Sequence, residues 1–450
     1  MEASTFTRPE RGAELDLRID ALANGGNGIA RLEGYVVFVS GAIPGDLVRA
    51  VVTKRKRAYA EARMIEVLEP SPERIAPLAD HPGAPWQVLP YERQLEVKQE
   101  QVRDALTRIG RLEGFQLDEI VPAVQQWRYR NKLEYSFGTA EDGTLICGFH
   151  APGSWHDIVP VTDCLLASER SNLAREQVLA WCREQGLAAF DRRTHTGLLR
   201  NLVVREGRRT DQLQVRLVTG PGDIDGPSLA AAVDCEGLSW TTTDALAETT
   251  LGGETIKLAG NRTLEEELCG LSFSIAPNAF FQTNTEMAEQ LYAIAGDLAG
   301  LKGWERVYDL YCGIGTVGLS LAARAGEIWG LEIVEQAVAN AISNAKRNGI
   351  GNAKFFAGDV RLALRELVET AQRPDVCVID PPRAGLSQKV VRRIIECAPR
   401  RIVYISCNPT TLAPNAAQLV EAGYTLKRVV PVDMFPQTPH IECVALLERG

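Results

Sequence analysis

The chain opens on alternating apolar and polar positions. AELDLRIDAL alternates, GGNGIAR is a glycine-rich turn, and YVVFVSGAIPGDLVRAVVTKRKRAYAEARMIEVLEP breaks into short β-branched runs. Residues 10–70 therefore read as all-β. About five short strands in so small a span predict a compact barrel. The Pro-rich stretch PSPERIAPLADHPGAPWQVLP reads as a linker or loop. YERQLEVKQEQVRDALTRIGRL has helical spacing and ends near Gly110. From 120 to 270 strands and helices mix. RYRNKLEYSFG and LRNLVVREGRRTDQLQVRLVT read as strands with hairpins, and SERSNLAREQVLAWCREQG as a helix closed by Gly186. This predicts a middle α+β domain.

From 271 the pattern becomes strand–helix alternation: RVYDLYCG, TVGLSLAARAG, EIWGLEI, VEQAVANAISNAKRNG, AKFFAGD, VRLALRELVETA, DVCVIDPP, KVVRRIIECAP, RIVYISCNP, TLAPNAAQLVEAG. Such alternation builds a mostly parallel, doubly wound sheet, so the fold class is α/β. The last runs, YTLKRVVPVDMF and ECVALLER, predict an antiparallel hairpin at the sheet edge. The expected divisions are 1–70, 71–270 and 271–450, and helix 91–112 is expected to pack with the last of these. No internal repeat stands out.

Composition narrows the class. With 45% hydrophobic and 24% charged residues, disorder, collagen and coiled coil are excluded as the main architecture. No run approaches the roughly 18 apolar residues of a membrane span. The start, MEASTFTRPERGAELDL, is too polar for a secretory signal, so a cytoplasmic protein without membrane partners is expected. The net charge of −9 excludes a bulk polycation, so any grip on nucleic acid must come from local basic stripes. Lys54, Arg55, Lys56 and Arg57 form one such stripe at a strand end; it is either a solvated surface or a track for a nucleic-acid backbone. Ten cysteines include no CxxC pair, so no metal site is expected and at most one thiol is functional.

DLYCGIGTVGLSLA puts a glycine-rich turn between a strand and a helix. Gly313 and Gly315 allow close backbone approach to a ligand. The next strand ends in Glu332, suited to ribose hydroxyls, and the third in Asp359, suited to an adenine amino group. Carboxyl ends of successive strands are where open α/β sheets bind ligands. No hydride-transfer machinery accompanies the turn, which favours S-adenosylmethionine over NAD.

The fourth strand ends at Asp380 in VIDPPR and the fifth at Cys407 in SCNP, so both should face one crevice. A thiolate is a strong nucleophile once its pKa is lowered. Glu442, beside His440 at the start of the last strand, is either a surface residue or a partly buried base. A thiol, a methyl donor and a base together suit methylation of carbon 5 of uracil. A thiolate adding to carbon 6 makes carbon 5 electron-rich; carbon 5 takes the methyl, and a base then removes its proton.

NAFFQTN, DLYCGIGT, DPPRAGL, YISCNP and MFPQTPHIE, in this order and spacing, resemble the motifs of bacterial RNA 5-methyluridine methyltransferases with an N-terminal TRAM domain. The resemblance covers essentially the whole chain. It implies an OB-like TRAM barrel over 1–70, an RNA-binding middle domain and a Rossmann-like, S-adenosylmethionine-dependent methyltransferase domain. It implies Cys407 as nucleophile and Glu442 as general base. Gln282, Tyr311, Gly313, Gly315, Glu332, Asp359 and Asp380 would form the cofactor pocket. Thr316 stands where many members have Asn. Arg128, Arg130, Asn131 and Lys132 resemble an RNA-contacting segment, and Phe280 and Phe281 either stack on a flipped base or pack in the core. Many members also hold an iron–sulfur cluster through four cysteines. Here Ala76 to Pro85 lacks three of them and only Cys164 remains, so no cluster is expected. Apolar packing around Trp86 and Tyr91 is expected in its place.

The expected partner is RNA, ribosomal (23S) before transfer RNA, with the chain a monomer. An amino-group methyltransferase is disfavoured because Arg383, not an aromatic residue, follows the two prolines. A cytosine-5 enzyme is disfavoured because its Pro-Cys or Thr-Cys signature is missing. The rival from another class is an RNA-binding protein with a vestigial transferase.

Overall fold

The computed structural model describes residues 7–154, 156–245, 249–250 and 252–450. The first six residues of the polar start therefore lie outside the described residues. Six strands follow: Glu14–Arg18, Ala21–Leu22, Gly28–Leu32, Tyr35–Ser40, Leu47–Arg55 and Tyr59–Glu69. They pair in the order first, fifth, sixth, fourth, third, second. Burial alternates along Tyr35–Ser40, so Val37 and Val39 enter a core shared with Val48 and Ala50. That alternation is the period-two pattern of the sequence made physical.

A seven-stranded sheet forms the middle of the molecule. Its central strands are Lys132–Thr139, Leu199–Gly207 and Gln212–Thr219. Helix Glu169–Glu184 covers one face, its start capped by Ser168, whose side chain accepts from Ser171 N–H. Gln212–Thr219 and Gly237–Thr242 run parallel, which demands a crossover. Helix Gly226–Ala232 supplies it and buries Leu229 in the same core.

The C-terminal sheet has eight strands. Five are parallel: Ala353–Ala357, Glu327–Glu332, Arg306–Leu310, Val376–Ile379 and Arg401–Ser406, in that spatial order. Helices cover both faces, so Val376–Ile379 is buried throughout and reads as an unbroken apolar run. The order reverses between Arg306–Leu310 and Val376–Ile379, which opens a crevice at their carboxyl ends. Glu442–Arg449 inserts antiparallel between Arg401–Ser406 and Tyr424–Val432. The expected antiparallel hairpin is thus present, one two-residue strand short of the sheet edge. Gln116–Leu117 pairs outside it, parallel to Arg428 and Val429. A two-residue strand is too short to leave a periodic signal.

Helix Tyr91–Asp104 runs on into a π-helical turn, Ala105–Ile109, closed by Gly110 N–H donating to Ala105 carbonyl. Leu106 and Val102 join the core on one face of the C-terminal sheet, against Leu412 and Ala416 of helix Pro409–Glu421. Gly110 permits the approach: a Cβ there would lie 3.0 Å from the Ala413 carbonyl oxygen. Among the described residues no helix is long and apolar enough to cross a membrane.

Candidate active site

The crevice begins at the turn after Arg306–Leu310. Tyr311, Gly313 and Gly315 all take the left-handed conformation, with φ of 66°, 54° and 86°. Tyr311 takes it without glycine's freedom, so this is a strained position of the kind that collects at binding sites. Gly318 N–H donates to Asp309 Oδ2 at 2.8 Å, tying the helix start to the strand below. Asp309 is buried, its other oxygen has no partner among the described residues, and burial pushes its carboxyl up to about 7. Glu332 accepts from Gly313 N–H at 3.2 Å and Val334 N–H at 2.9 Å, which joins the first and second strand ends. Asp359 caps helix Val360–Ala371 by accepting from Arg361 N–H at 2.8 Å. Tyr311 lies within electrostatic reach of Asp359, Arg361 and Glu332; burial first and then Asp359 push its hydroxyl up to about 12. Thr316 Oγ1 and Tyr292 hydroxyl are 3.1 Å apart.

Across the switch point stand the thiol and two more carboxylates. The pair Ser406–Cys443 is the last in the antiparallel register, so Cys407 and Glu442 lie at adjoining strand ends. Asn408 caps helix Pro409–Glu421 through Thr410 N–H, which fixes the chain just after the thiol. Glu442 is only 4% exposed; burial first, and Asp380 second, hold its carboxyl well above the usual range. Burial pushes Asp380 up to about 7. The Cys407 thiol is pushed up to about 11 by burial, then Glu442 and Asp380, with Arg383 opposing. The crevice is thus rich in carboxylates whose burial and mutual repulsion favour their protonated forms.

That donor set fits S-adenosylmethionine. The ligand is a sulfonium cation, whose charge would offset the repulsion that couples Asp380 to Asp309 and Glu442. A Cβ on Gly313 would meet nothing within 4 Å, so the turn faces open space. Glu332 and Asp359 offer carboxylates at the second and third strand ends for the nucleoside.

The loop before Glu442 is held from outside the C-terminal sheet. Lys98 donates to Asp433 Oδ1 at 2.6 Å, both side chains fully buried, and to the Phe435 carbonyl at 3.2 Å. Tyr91 hydroxyl donates to Asp433 Oδ2 at 2.8 Å. Gln94 and Gln437 exchange two hydrogen bonds, and Trp86 N–H donates to Gln437 carbonyl. Sequence reasoning missed Lys98, Gln94 and Asp433. The buried stripe of the helix that carries Gln94 and Lys98, formed by Gln94, Val97, Lys98, Gln101 and Val102, keeps helical spacing but is mostly polar. Its spacing was a signal; its hydropathy was not. Tyr91 through its hydroxyl and Trp86 through its main chain therefore anchor this loop, and the Trp86 side chain is itself buried.

The basic residues divide. Asn131 is buried and its amide donates to Gln282 carbonyl and Thr285 Oγ1 at 2.8 and 2.9 Å. Gln282 is itself buried. Arg128 forks onto Asp163 at 2.7 and 3.0 Å, and Lys132 pairs with Glu134 at 2.5 Å. Arg130 sits over the rings of Tyr129 and Phe435, at the mouth of the same loop. Lys54 pairs with Glu61 at 2.8 Å, while Arg55, Lys56 and Arg57 are exposed beyond it. Phe280 is 69% exposed, whereas Phe281 is buried against Phe273 at 6.1 Å between ring centres. The two phenylalanines therefore separate into a surface ring and a core ring.

In the stretch where the resemblance would put a cluster in other members, His81 Nε2 lies 3.2 Å from Cys164 Sγ, and the His81 ring packs on Phe149. Among the described residues no group of three or more His, Cys, Asp or Glu is placed to hold a metal ion. One thiol and one imidazole do not fit a four-iron cluster. His81 was not anticipated as the side chain in that place.

Comparison with known proteins agrees with this architecture. The family model for tRNA (uracil-5-)-methyltransferase matches residues 262–450, and that for the TRAM domain matches 8–65. An RNA methyltransferase of Gloeobacter violaceus is 39% identical, with 98% of this chain and 97% of that protein covered. One from Halalkalibacterium halodurans is 35% identical over 96% of each chain. Among solved structures, the Pyrococcus abyssi tRNA (uracil-54, C5)-methyltransferase in complex with S-adenosyl-L-homocysteine is 29% identical. It covers 96% of this chain and 100% of its own, with a TM-score of 0.79. The chain belongs to the S-adenosylmethionine-dependent RNA methyltransferases that join a TRAM domain to a tRNA (uracil-5-)-methyltransferase domain.

Proposed function

We propose that this enzyme methylates carbon 5 of a uridine in folded RNA through a transient bond between Cys407 and carbon 6. The observation that supports this reading is the adjacency of Cys407 and Glu442 at neighbouring strand ends, with Asp380 in electrostatic reach of both. S-adenosylmethionine supplies an electrophilic methyl group. The chain's own residues do the rest. Cys407 gives up its proton to solvent water, and its sulfur bonds to carbon 6. The ring's 5,6 electron pair moves toward the carbonyl oxygen at carbon 4 and returns through carbon 5 to take the methyl. Glu442 acts once its raised carboxyl has released its own proton to solvent, and it then removes the proton from carbon 5. The double bond re-forms and Cys407 leaves as thiolate, ready to regain its proton. Arg383 favours the thiolate at both ends of the cycle. Gln282, Tyr311, Thr316, Glu332, Asp359 and Asp380 hold the methyl donor.

In this reading Lys54, Arg55, Lys56 and Arg57 track RNA backbone from the barrel. Arg130 meets it at the crevice, and Arg128, Asn131 and Lys132 brace the segment that carries Arg130. Phe280, exposed on the surface, stacks in this reading on a base turned out of its helix. The chain works as a cytoplasmic monomer on 23S ribosomal RNA. A second reading, transfer RNA, is favoured by the full-length similarity to a tRNA (uracil-54, C5)-methyltransferase. Labelled S-adenosylmethionine supplied with purified 23S RNA and transfer RNA separates them by which fraction gains 5-methyluridine. With Cys407→Ala neither fraction should gain label; if it does at the wild-type rate, the thiol has no part in the chemistry.

A further inference from the structure

The middle domain holds a second polar cavity, of about 310 Å³, that the proposed chemistry does not use. It lies where the strands Lys132–Thr139 and Leu145–His150 end and Leu199–Gly207 begins. The opposite end of Leu199–Gly207 faces the catalytic unit: Arg205 donates to the carbonyls of Ala276 and Ala279, just before Phe280. Five residues of strand separate Arg200 from Arg205, so the cavity stands about 17 Å from that contact.

Three arginines line it: Arg192, Arg193 and Arg200. Arg200 is the informative one. It is 8% exposed, its guanidinium lies 4.2 Å from the Phe190 ring centre, and one terminal nitrogen donates to the Ala245 carbonyl. Its Nε is buried without a hydrogen-bond partner among the described residues. A buried guanidinium ordinarily finds a carboxylate. Two carboxylates line the cavity, and both are engaged locally. Asp157 accepts from Ser154 hydroxyl at 2.8 Å and pairs with His156, and Asp191 accepts from Arg193 N–H at 2.7 Å. The charge on Arg200 is disfavoured by burial first and Arg192 second, with Asp244 opposing; the charge on His150 is disfavoured by burial and Arg192. Like charges are therefore gathered around an open volume of nucleotide size. A fork of guanidinium donors against one aromatic face suits a phosphate oxygen pair.

We propose that this cavity is a phosphate-binding site that holds one backbone phosphate of the RNA substrate, remote from the uridine being methylated. The phosphate chemistry stands on the cavity alone; its RNA source rests on the proposed function. The alternative source of the same group is a free mononucleotide.

The test uses the full chain with Arg200→Gln and Arg193→Glu. Arg193 is exposed, so its variant should fold even if Arg200→Gln does not. Binding of purified 23S RNA fragments and transfer RNA is measured against salt, and binding of uridine monophosphate by calorimetry. Loss of one phosphate contact should weaken RNA binding about tenfold at moderate salt. It should also make the log–log salt slope shallower by about 0.7–0.9. Loss in the RNA arm identifies a backbone phosphate; loss in the mononucleotide arm alone identifies the phosphate site but moves its source to a free nucleotide. Wild-type affinity and slope in both arms, for both variants, overturn the site. Methyl transfer by the wild-type chain to the same RNA is scored in parallel. If that transfer is absent while the variants lose mononucleotide, the RNA reading falls and the phosphate site stands.

Discussion

The crevice of the C-terminal sheet and the basic hairpin of the N-terminal barrel concentrate charge in opposite ways. In the crevice, Asp309 and Glu442 are buried and Asp380 and Cys407 half-buried beside them, and each is held away from its ordinary ionisation. On the hairpin, Arg55, Lys56 and Arg57 project into solvent, where water and salt screen them. Buried charge is expensive to hold and is therefore specific: one group alters the chemistry of the next. Exposed charge acts by addition, and no single side chain is decisive.

Substitutions can break or sharpen this contrast. The largest effect belongs to Cys407→Ala, which should lower turnover by about 10³-fold or more while leaving S-adenosylmethionine affinity unchanged. A variant that loses cofactor binding in equal measure would show that the crevice had collapsed. Glu442→Gln should lower turnover by about 10²- to 10⁴-fold, in the range of a general base. Removing half of the buried pair, as in Asp433→Ala, should destabilise the fold by about 3–5 kcal/mol because Lys98 is left buried and unpaired. Chemical denaturation checks this, and Lys98→Met with Asp433→Asn should recover most of the loss.

The pH dependence of stability follows from the same groups. Asp309 binds its proton more tightly in the folded chain, at about 7 against 3.8 for the unfolded group. Its stabilising contribution is full below 3.8 and is lost as pH rises through about 7. Asp380 behaves alike. Thermal melts of the protein without added ligand should therefore show Asp309→Asn gaining on the wild type from about pH 4 to about pH 7, close to neutral at the acid end and level above it. A constant difference would mean that Asp309 is ionised throughout. The smallest effect is on the hairpin. Charge reversal at Arg55 and Arg57 should weaken RNA binding by about tenfold and reduce its salt slope, with the rate of methyl transfer at saturating RNA unchanged.

The contrast also explains what the sequence disclosed. Strand ends carry Glu332, Asp359, Asp380 and Cys407, and strand–helix alternation is strong enough to locate each of them. Local chemistry is legible where regular structure presents it. Lys98, Asp433, His81 and Arg200 were not legible. Each is a polar group buried by a partner far away in sequence, and a pattern read along the chain treats such residues as surface. The strand Gln116–Leu117 escaped for a different reason, since its place is set by the exposed edge of Tyr424–Val432. Phe280 and Phe281 stayed ambiguous until their neighbours were known, because adjacent residues in an irregular segment carry no period.

The most direct measurement is the intact mass of Glu442→Gln after incubation with S-adenosylmethionine and substrate RNA, followed by nuclease digestion. Without the base, the methylated ring has no path to expel the sulfur. A fraction of the protein should carry a methylated uridine nucleotide on the peptide containing Cys407. Product 5-methyluridine formed by this variant at wild-type rate, with no nucleotide on that peptide, would contradict the covalent account.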